Sequence, residues 1–223
     1  MTVGSREDYR VGTIMVDAPG TLDVDVDNST FTLIDNTNKQ FAGTGIQLSP
    51  YDSIFGAIVA AVDHEVIRLL PGRYRIRTAI VIDSPVTIEA IGNVRIVSDE
   101  QAFDVTSTRV NINGISFEQI GTTETNTIAL GGTFGAVNNC TFIGTQTNAI
   151  SVTADNCAVR NCRFIPDAEQ SSVAADIYWG DSADNGIALG NMWSTERGYV
   201  ISYKATSDFT QAANAVAAAI QAR

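Results

Sequence analysis

Between Val86 and Tyr203 the chain alternates short runs of Val, Ile and Phe with Gly, Asn, Asp and Thr, and the runs recur. One series reads VTIEA (86–90), VNINGISF (110–117), VNNCTF (137–142), VRNCRF (159–164) and IALGNMW (187–193). A second fills the gaps, with FDV from 103, IAL from 128, ISV from 150, IYW from 177 and VIS from 200. Two interleaved strand series sharing a period of roughly 24 residues, with no amphipathic helix between them, predict a β-solenoid rather than a helical repeat array.

The phrase Val-x-Asn-Cys-x-Phe, at 137–142 and 159–164, supplies the local geometry. Val137, Cys140 and Phe142 reach a common interior only if the chain bends at Asn139, because strict alternation would put Val137 and Asn139 on one face. Gly114, Asn139, Asn161 and Asn191 recur at steps of 25, 22 and 30 residues. All four are types that tolerate positive φ, so they are expected at equivalent corners of successive coils. The asparagines can form a hydrogen-bonded ladder there, with the cysteines as small core residues.

The flanks differ. Residues 10–48 read as short strands, including TLDVDVD with Leu22, Val24 and Val26 set against Asp23, Asp25 and Asp27, and predict a small β region over 1–48. A capping helix is expected over 50–63, with Ser49 as N-cap, Pro50 in the first turn, and apolar residues at 54, 55, 58, 59 and 62. The parallel solenoid then occupies 49–204. In 205–223, Asp208 is placed to cap a short helix whose Phe209, Ala213, Val216 and Ile220 form a heptad-like seam.

Charge and rare residues narrow the chemistry. The 223-residue chain carries 14 Lys+Arg against 25 Asp+Glu, a formal net charge of −11. That balance opposes nucleic acid and anionic membranes as partners. The opening MTVGSREDYRVG lacks the apolar run of a secretory signal, and the apolar run Ile54 to Val62 is far too short to span a bilayer. Cys140, Cys157 and Cys162 lack metal-ligand spacing, and His64 is the single histidine. DVDVDN departs from an EF-hand loop, because Asn28 and Ile34 stand where Gly and Glu are needed. No metal or cofactor is expected.

The helix DSIFGAIVAAV, the strand-turn IRLLPGRYRI, the stretch IVIDSPVTIEAIGNVRIV and the Val-x-Asn-Cys-x-Phe coils together resemble right-handed parallel β-helices of the pectate-lyase-like class. The resemblance is particularly to the versions found in bacteriophage tailspikes and virion surface proteins. The resemblance implies an all-β, right-handed parallel β-helix of about five or six coils. It also implies a homotrimeric structural protein of a phage capsid or tail, assembled in the bacterial cytoplasm and touching other virion proteins. The alternative is a tailspike-type protein that binds or cleaves host surface glycan.

Such enzymes need converging carboxylates. Asp176, Asp181 and Asp184 lie beside Tyr178 and Trp179 in DIYWGDSADNG, making Tyr178, Trp179, Asp181 and Asp184 candidate glycan contacts. The equivalent earlier turns, TADNCAV and GGTFGAV, are read as offering no matching carboxylate, and the polygalacturonase-type Asn-Thr-Asp, Asp-Asp and Gly-His-Gly signals are missing. A non-enzymatic role with no catalytic residue is therefore expected. Candidate subunit contacts are Arg73, Arg75 and Arg77 on one strand face, the acidic Asp23, Asp25 and Asp27 as their complement, and Phe209, Val216 and Ile220.

Overall fold

The computed structural model describes residues 53–121, 125–145, 147–165 and 176–193, together with the strand backbones at 13–16, 25–26, 201–203, 209–212 and 215–216. The chain winds into a parallel β-helix with three sheets of 8, 8 and 6 strands, each strand paired to its equivalent in the next coil. The first sheet runs through Val66–Leu69, Thr87–Ala90, Asn111–Asn113, Ala136–Asn138, Ala158–Arg160 and Gly186–Leu189. The second contains Gly72–Ile76, Val94–Ser98, Ser116–Gln119, Thr141–Ile143, Arg163–Ile165 and Met192–Trp193. The third contains Ile80–Ile82, Phe103–Val105, Ile128–Leu130, Ile150–Val152, Ile177–Trp179 and Ile201–Tyr203.

Period-two alternation on each short strand sends one residue type inward coil after coil. The first sheet contributes Ile67, Ile88, Ile112, Val137, Val159 and Ala188, all fully buried. The second contributes Phe117, Phe142, Phe164 and Trp193, whose rings stack at centroid spacings of 5.2, 5.3 and 5.3 Å. Their interplanar angles of 9°, 10° and 15° follow from the register, since identical neighbours in identical rotamers lie parallel. Phe103 of the third sheet meets Phe117 edge-on at 5.7 Å and ties the column to the opposite wall.

The bend after the first sheet is left-handed at Gly114 (φ 76), Asn139 (φ 54) and Asn161 (φ 53). Backbone N–H groups at these corners donate to the next coil, Gly114 to Asn138 O, Asn139 to Arg160 O and Asn161 to Leu189 O. Asn139 Nδ2 also donates to Asn113 Oδ1 at 2.8 Å, and Asn138 Nδ2 to Asn111 Oδ1 at 2.7 Å. The next corner belongs to Gly190 (φ 68), not Asn191. Register pairs Arg160 with Leu189, which shifts Asn191 onto the inner position held by Cys140 and Cys162. A Cβ at residue 190 would stand 2.4 Å from Asn161 Oδ1, so glycine there leaves the Asn161 side chain in place. Asn191 is buried instead, accepting the Cys162 N–H at 2.9 Å and donating to Val159 O at 3.1 Å.

Three other expectations change. The capping helix spans Ile54–Ala60 with Ser53 as N-cap, its hydroxyl accepting the Gly56 N–H at 3.0 Å, while Ser49 and Pro50 lie outside the described residues. The helix is short because Ala61 is already extended at φ −67, ψ 139. Thr13–Val16 and Asp25–Val26 pair in parallel with Val66–Leu69 and with Arg75 and Ile76, extending the two long sheets. At the other end, Phe209–Ala212 and Ala215–Val216 form strands beside Gly186–Leu189 and Met192–Trp193, where a helix was expected. So short a helix is marginal alone in water, whereas an open sheet edge offers a full set of unpaired backbone groups, so strand addition wins over alanine's helical preference. Phe209 and Val216 thus sit on strands, and Ala213 and Ile220 lie outside the described residues.

Two stability predictions follow from this architecture. Asn139→Val puts a β-branched residue in the left-handed region and should lower unfolding free energy by ~1–2 kcal/mol, whereas Asn139→Gly should stay within about 0.5 kcal/mol, as read by urea denaturation. Cys157 is buried and its thiol is raised from 9.0 to about 11 by desolvation. Below pH 9 folded and unfolded chains both hold the proton; above it the unfolded thiol ionises first. Stability present at neutral pH is therefore lost between about pH 9 and 11, by up to ~2–3 kcal/mol, and Cys157→Ala should show a smaller alkaline loss.

Candidate functional site

A second set of left-handed corners lies where the chain leaves the third sheet and returns to the first. Arg109 (φ 58), Phe134 (φ 59), Asn156 (φ 59) and Asn185 (φ 55) occupy it, and His64 (φ 69) holds the equivalent step at the start. Arg109 N–H donates to Thr133 O at 2.9 Å, Phe134 N–H to Asp155 O at 3.1 Å and Asn156 N–H to Asp184 O at 2.8 Å. These bonds stack the corners so that Thr133, Asp155 and Asp184 fall in one column and Arg109, Phe134, Asn156 and Asn185 in the next.

Asp155 is the carboxylate that the sequence reading overlooked. The triplet Ala-Asp-Asn occurs at 154–156 and again at 183–185, and register makes the two copies equivalent. The later copy was masked by a two-residue insertion, Asp181–Ser182, which lengthens the turn. Gly180 N–H still donates to Val152 O at 2.8 Å, and Ser182 Oγ donates to Thr153 O at 2.9 Å, pinning the bulge to the coil below. Asp155 Oδ1 accepts the Asp184 N–H at 2.8 Å, which fixes one carboxylate against the backbone bearing the other. Asp181, Asp184, Asn156 and Asn185 are exposed and Asp155 is half-buried.

The aromatic candidates separate by strand alternation. Tyr178 faces out of the third sheet, half-buried, in register with Ser151. Trp179 points inward and is fully buried, so it is not a glycan contact; a Cβ on Gly186 would stand 2.3 Å from its ring. Asp176 is also buried, at 6% exposure.

The arginine stripe is met largely within the chain. Arg75 lies in register with Asp25, and its Nη2 donates to both Asp99 carboxylate oxygens, at 2.9 and 3.2 Å. Arg73 and Arg77 are exposed on the same strand face, and Asp23 and Asp27 lie outside the described residues. Further pairs, Arg68 with Glu89 at 2.6 Å and Arg95 with Glu118 at 2.7 Å, decorate the outer faces of the earlier coils. Among the described residues, no group of three or more His, Cys, Asp or Glu is arranged to hold a metal ion.

The fold is shared with a solved bacterial protein. The crystal structure of a "putative glycosyl hydrolase" from Parabacteroides merdae superposes with a TM-score of 0.58 at 12% identity, covering 68% of this chain and 81% of that one. No family model matches the chain, and no curated protein matches it in sequence. The likeness is one of fold, and it corrects the expectation of a non-enzymatic chain: this scaffold also serves a protein named as a glycosyl hydrolase. The premise behind that expectation also falls, since the earlier turn does supply a stacked carboxylate, Asp155.

Asp155 has a measurable structural role of its own. Asp155→Ala removes the acceptor of the Asp184 N–H and should lower unfolding free energy by ~1–2 kcal/mol, since bonds to charged acceptors are stronger than neutral ones. Asp181→Ala, on the exposed bulge, should change it by less than about 0.5 kcal/mol in the same denaturation assay.

Proposed function

We propose that this chain is a polysaccharide-binding and polysaccharide-cleaving β-helix of the tailspike type, acting at the corner formed by Asp155, Asp181, Asp184 and Tyr178. The observation that carries the reading is the stacking of Asp155 and Asp184 on adjacent coils. Equivalent positions one coil apart stand about 4.8 Å from each other, close to the ~5–5.5 Å between the two carboxyl groups of retaining glycosidases. Asp155, anchored by the Asp184 N–H, is suited to the nucleophile's place, and Asp184 on the next coil supplies the second carboxyl group beside the leaving oxygen. Tyr178 and Asp181 supply an aromatic edge and a hydroxyl acceptor beside them.

The particle context comes from the resemblance of the coil phrases to phage tailspikes and virion surface proteins. In this reading the chain is a homotrimer on the capsid or tail, in contact with other virion proteins. Arg73 and Arg77 lie exposed on one strand face near the first coils, the face assigned here to a subunit contact. Native mass spectrometry together with copy number per particle tests this placement, and a monomer both free and particle-bound refutes it.

The catalytic part is tested by reducing-end release from host-surface polysaccharide. Asp155→Asn and Asp184→Asn should each lower the rate by at least about a hundredfold while leaving the protein folded by circular dichroism. Asp181→Asn should cost less than about tenfold. If either stacked aspartate is replaced without effect on a measured cleavage, the pair is not the acid–nucleophile couple.

A further inference from the structure

Phe134, like Arg109 and His64, holds a left-handed corner with a side chain poorly suited to it, and it is the aromatic hydrocarbon among them. The corner requires positive φ, which Asn156 and Asn185 adopt readily, yet the equivalent residue here is a phenylalanine at φ 59. Burial does not account for it, because the residue is 56% exposed. The turn around it is rigid. A Cβ on Gly132 would lie 1.7 Å from Ser107 O, and one on Gly135 would lie 2.7 Å from Leu130 Cδ1, so both flanking glycines are needed for the chain to pass. A strained backbone and a wet aromatic ring, at a place where Asn would be relaxed and solvated, point to a task outside the fold.

The surroundings specify the task. One coil away in the corner column lie Arg109 on one side and Asn156 on the other, with Asp155 and Asp184 in the neighbouring column. A flat apolar face bordered by hydrogen-bonding groups at steps of about 4.8 Å fits a pyranose ring, whose C–H face covers an aromatic while its equatorial hydroxyls reach outward to donors and acceptors. Charge selects among sugars. Three carboxylates, Asp155, Asp181 and Asp184, share this corner with one arginine, on a chain of net charge −11, so a polyuronate is repelled.

We infer that Phe134 is the stacking platform of a glycan subsite that takes an uncharged, pyranose-based polysaccharide running along the corner from Arg109 towards Asp184. The inference rests on the polysaccharide reading above and adds to it the platform, the direction of the chain and the neutral character of the ligand. The test is native gel electrophoresis of the full chain in gels containing dextran, mannan or polygalacturonate, alongside thermal melts.

The wild type should be retarded by an uncharged polymer and not by polygalacturonate. Phe134→Asn should weaken that retardation about tenfold or more while raising Tm by about 2–4 °C, because the corner relaxes. Phe134→Trp should keep the retardation. Opposite movement of binding and stability is the signature, since a packing residue would lose both. Retardation of Phe134→Asn equal to wild type, a lowered Tm for that variant, stronger retardation by polygalacturonate, or no retardation of the wild type by dextran or mannan each overturns the inference. Reducing-end release reports separately on Asp155 and Asp184: Phe134-dependent retardation without cleavage removes the catalytic proposal and leaves the platform standing.

Discussion

Because each coil of this solenoid hydrogen-bonds to the next in register, every side chain stands directly over its equivalent about 4.8 Å away, and residues act as columns. That constraint selects what each column can hold. Inward columns take Ile and Val, or aromatics that stack parallel, as Phe117, Phe142, Phe164 and Trp193 do. Outward positions carry ion pairs between coils, with Arg68 over Glu89 and Arg95 bonded to Glu118 of the next strand, although Arg73 also stands over Arg95 in the same ladder. These exposed pairs contribute little energy individually, and their effect is to keep the register unique.

A closed coil of three short strands also needs sharp bends, and left-handed residues provide two of them. The corner after the first sheet is filled by Gly and Asn, whose backbone preferences suit it. The corner after the third sheet is filled by Arg, Phe, Asn and Asn, of which only the last two are comfortable there. The first corner is thus accounted for by folding, down to Gly190, whose missing side chain leaves room for Asn161. The second carries residues that folding does not explain, which is the physical reason to place ligand chemistry on that edge.

The coil architecture was legible because a solenoid repeats: period, strand positions and the left-handed bends at Gly114, Asn139 and Asn161 are all visible in the spacing of apolar runs and small polar residues. Legibility failed where a coil changed length. The step of 30 from Asn161 to Asn191 concealed that Gly190 and Asn191 together replace Asn-Cys, so the residue type matched while the register did not. The same coil's Asp181–Ser182 bulge hid the equivalence of Asp155 and Asp184, although Ala-Asp-Asn is written twice. At the C-terminus, alanine-rich spacing suggested a helix, but local propensity lost to the unpaired edges of Gly186–Leu189 and Met192–Trp193, a demand that no local window contains.

Inserted residues in a solenoid have one direction to go. Inward space is filled by a stacked core, and the hydrogen-bonded ladders admit no extra residue without losing pairs, so an insertion must emerge at a corner. Asp181 and Ser182 emerge at the corner after the third sheet, held by Ser182 Oγ on Thr153 O, beside the only described turn in which Asp is stacked on Asp. The core behind this edge is closed by Trp179, packed so tightly against Gly186 that the corner has no freedom to collapse inward. An outward-facing row of carboxylates, amides and one aromatic ring is therefore positioned by the same register that builds the fold, so the proposed recognition there would need no rearrangement of the backbone.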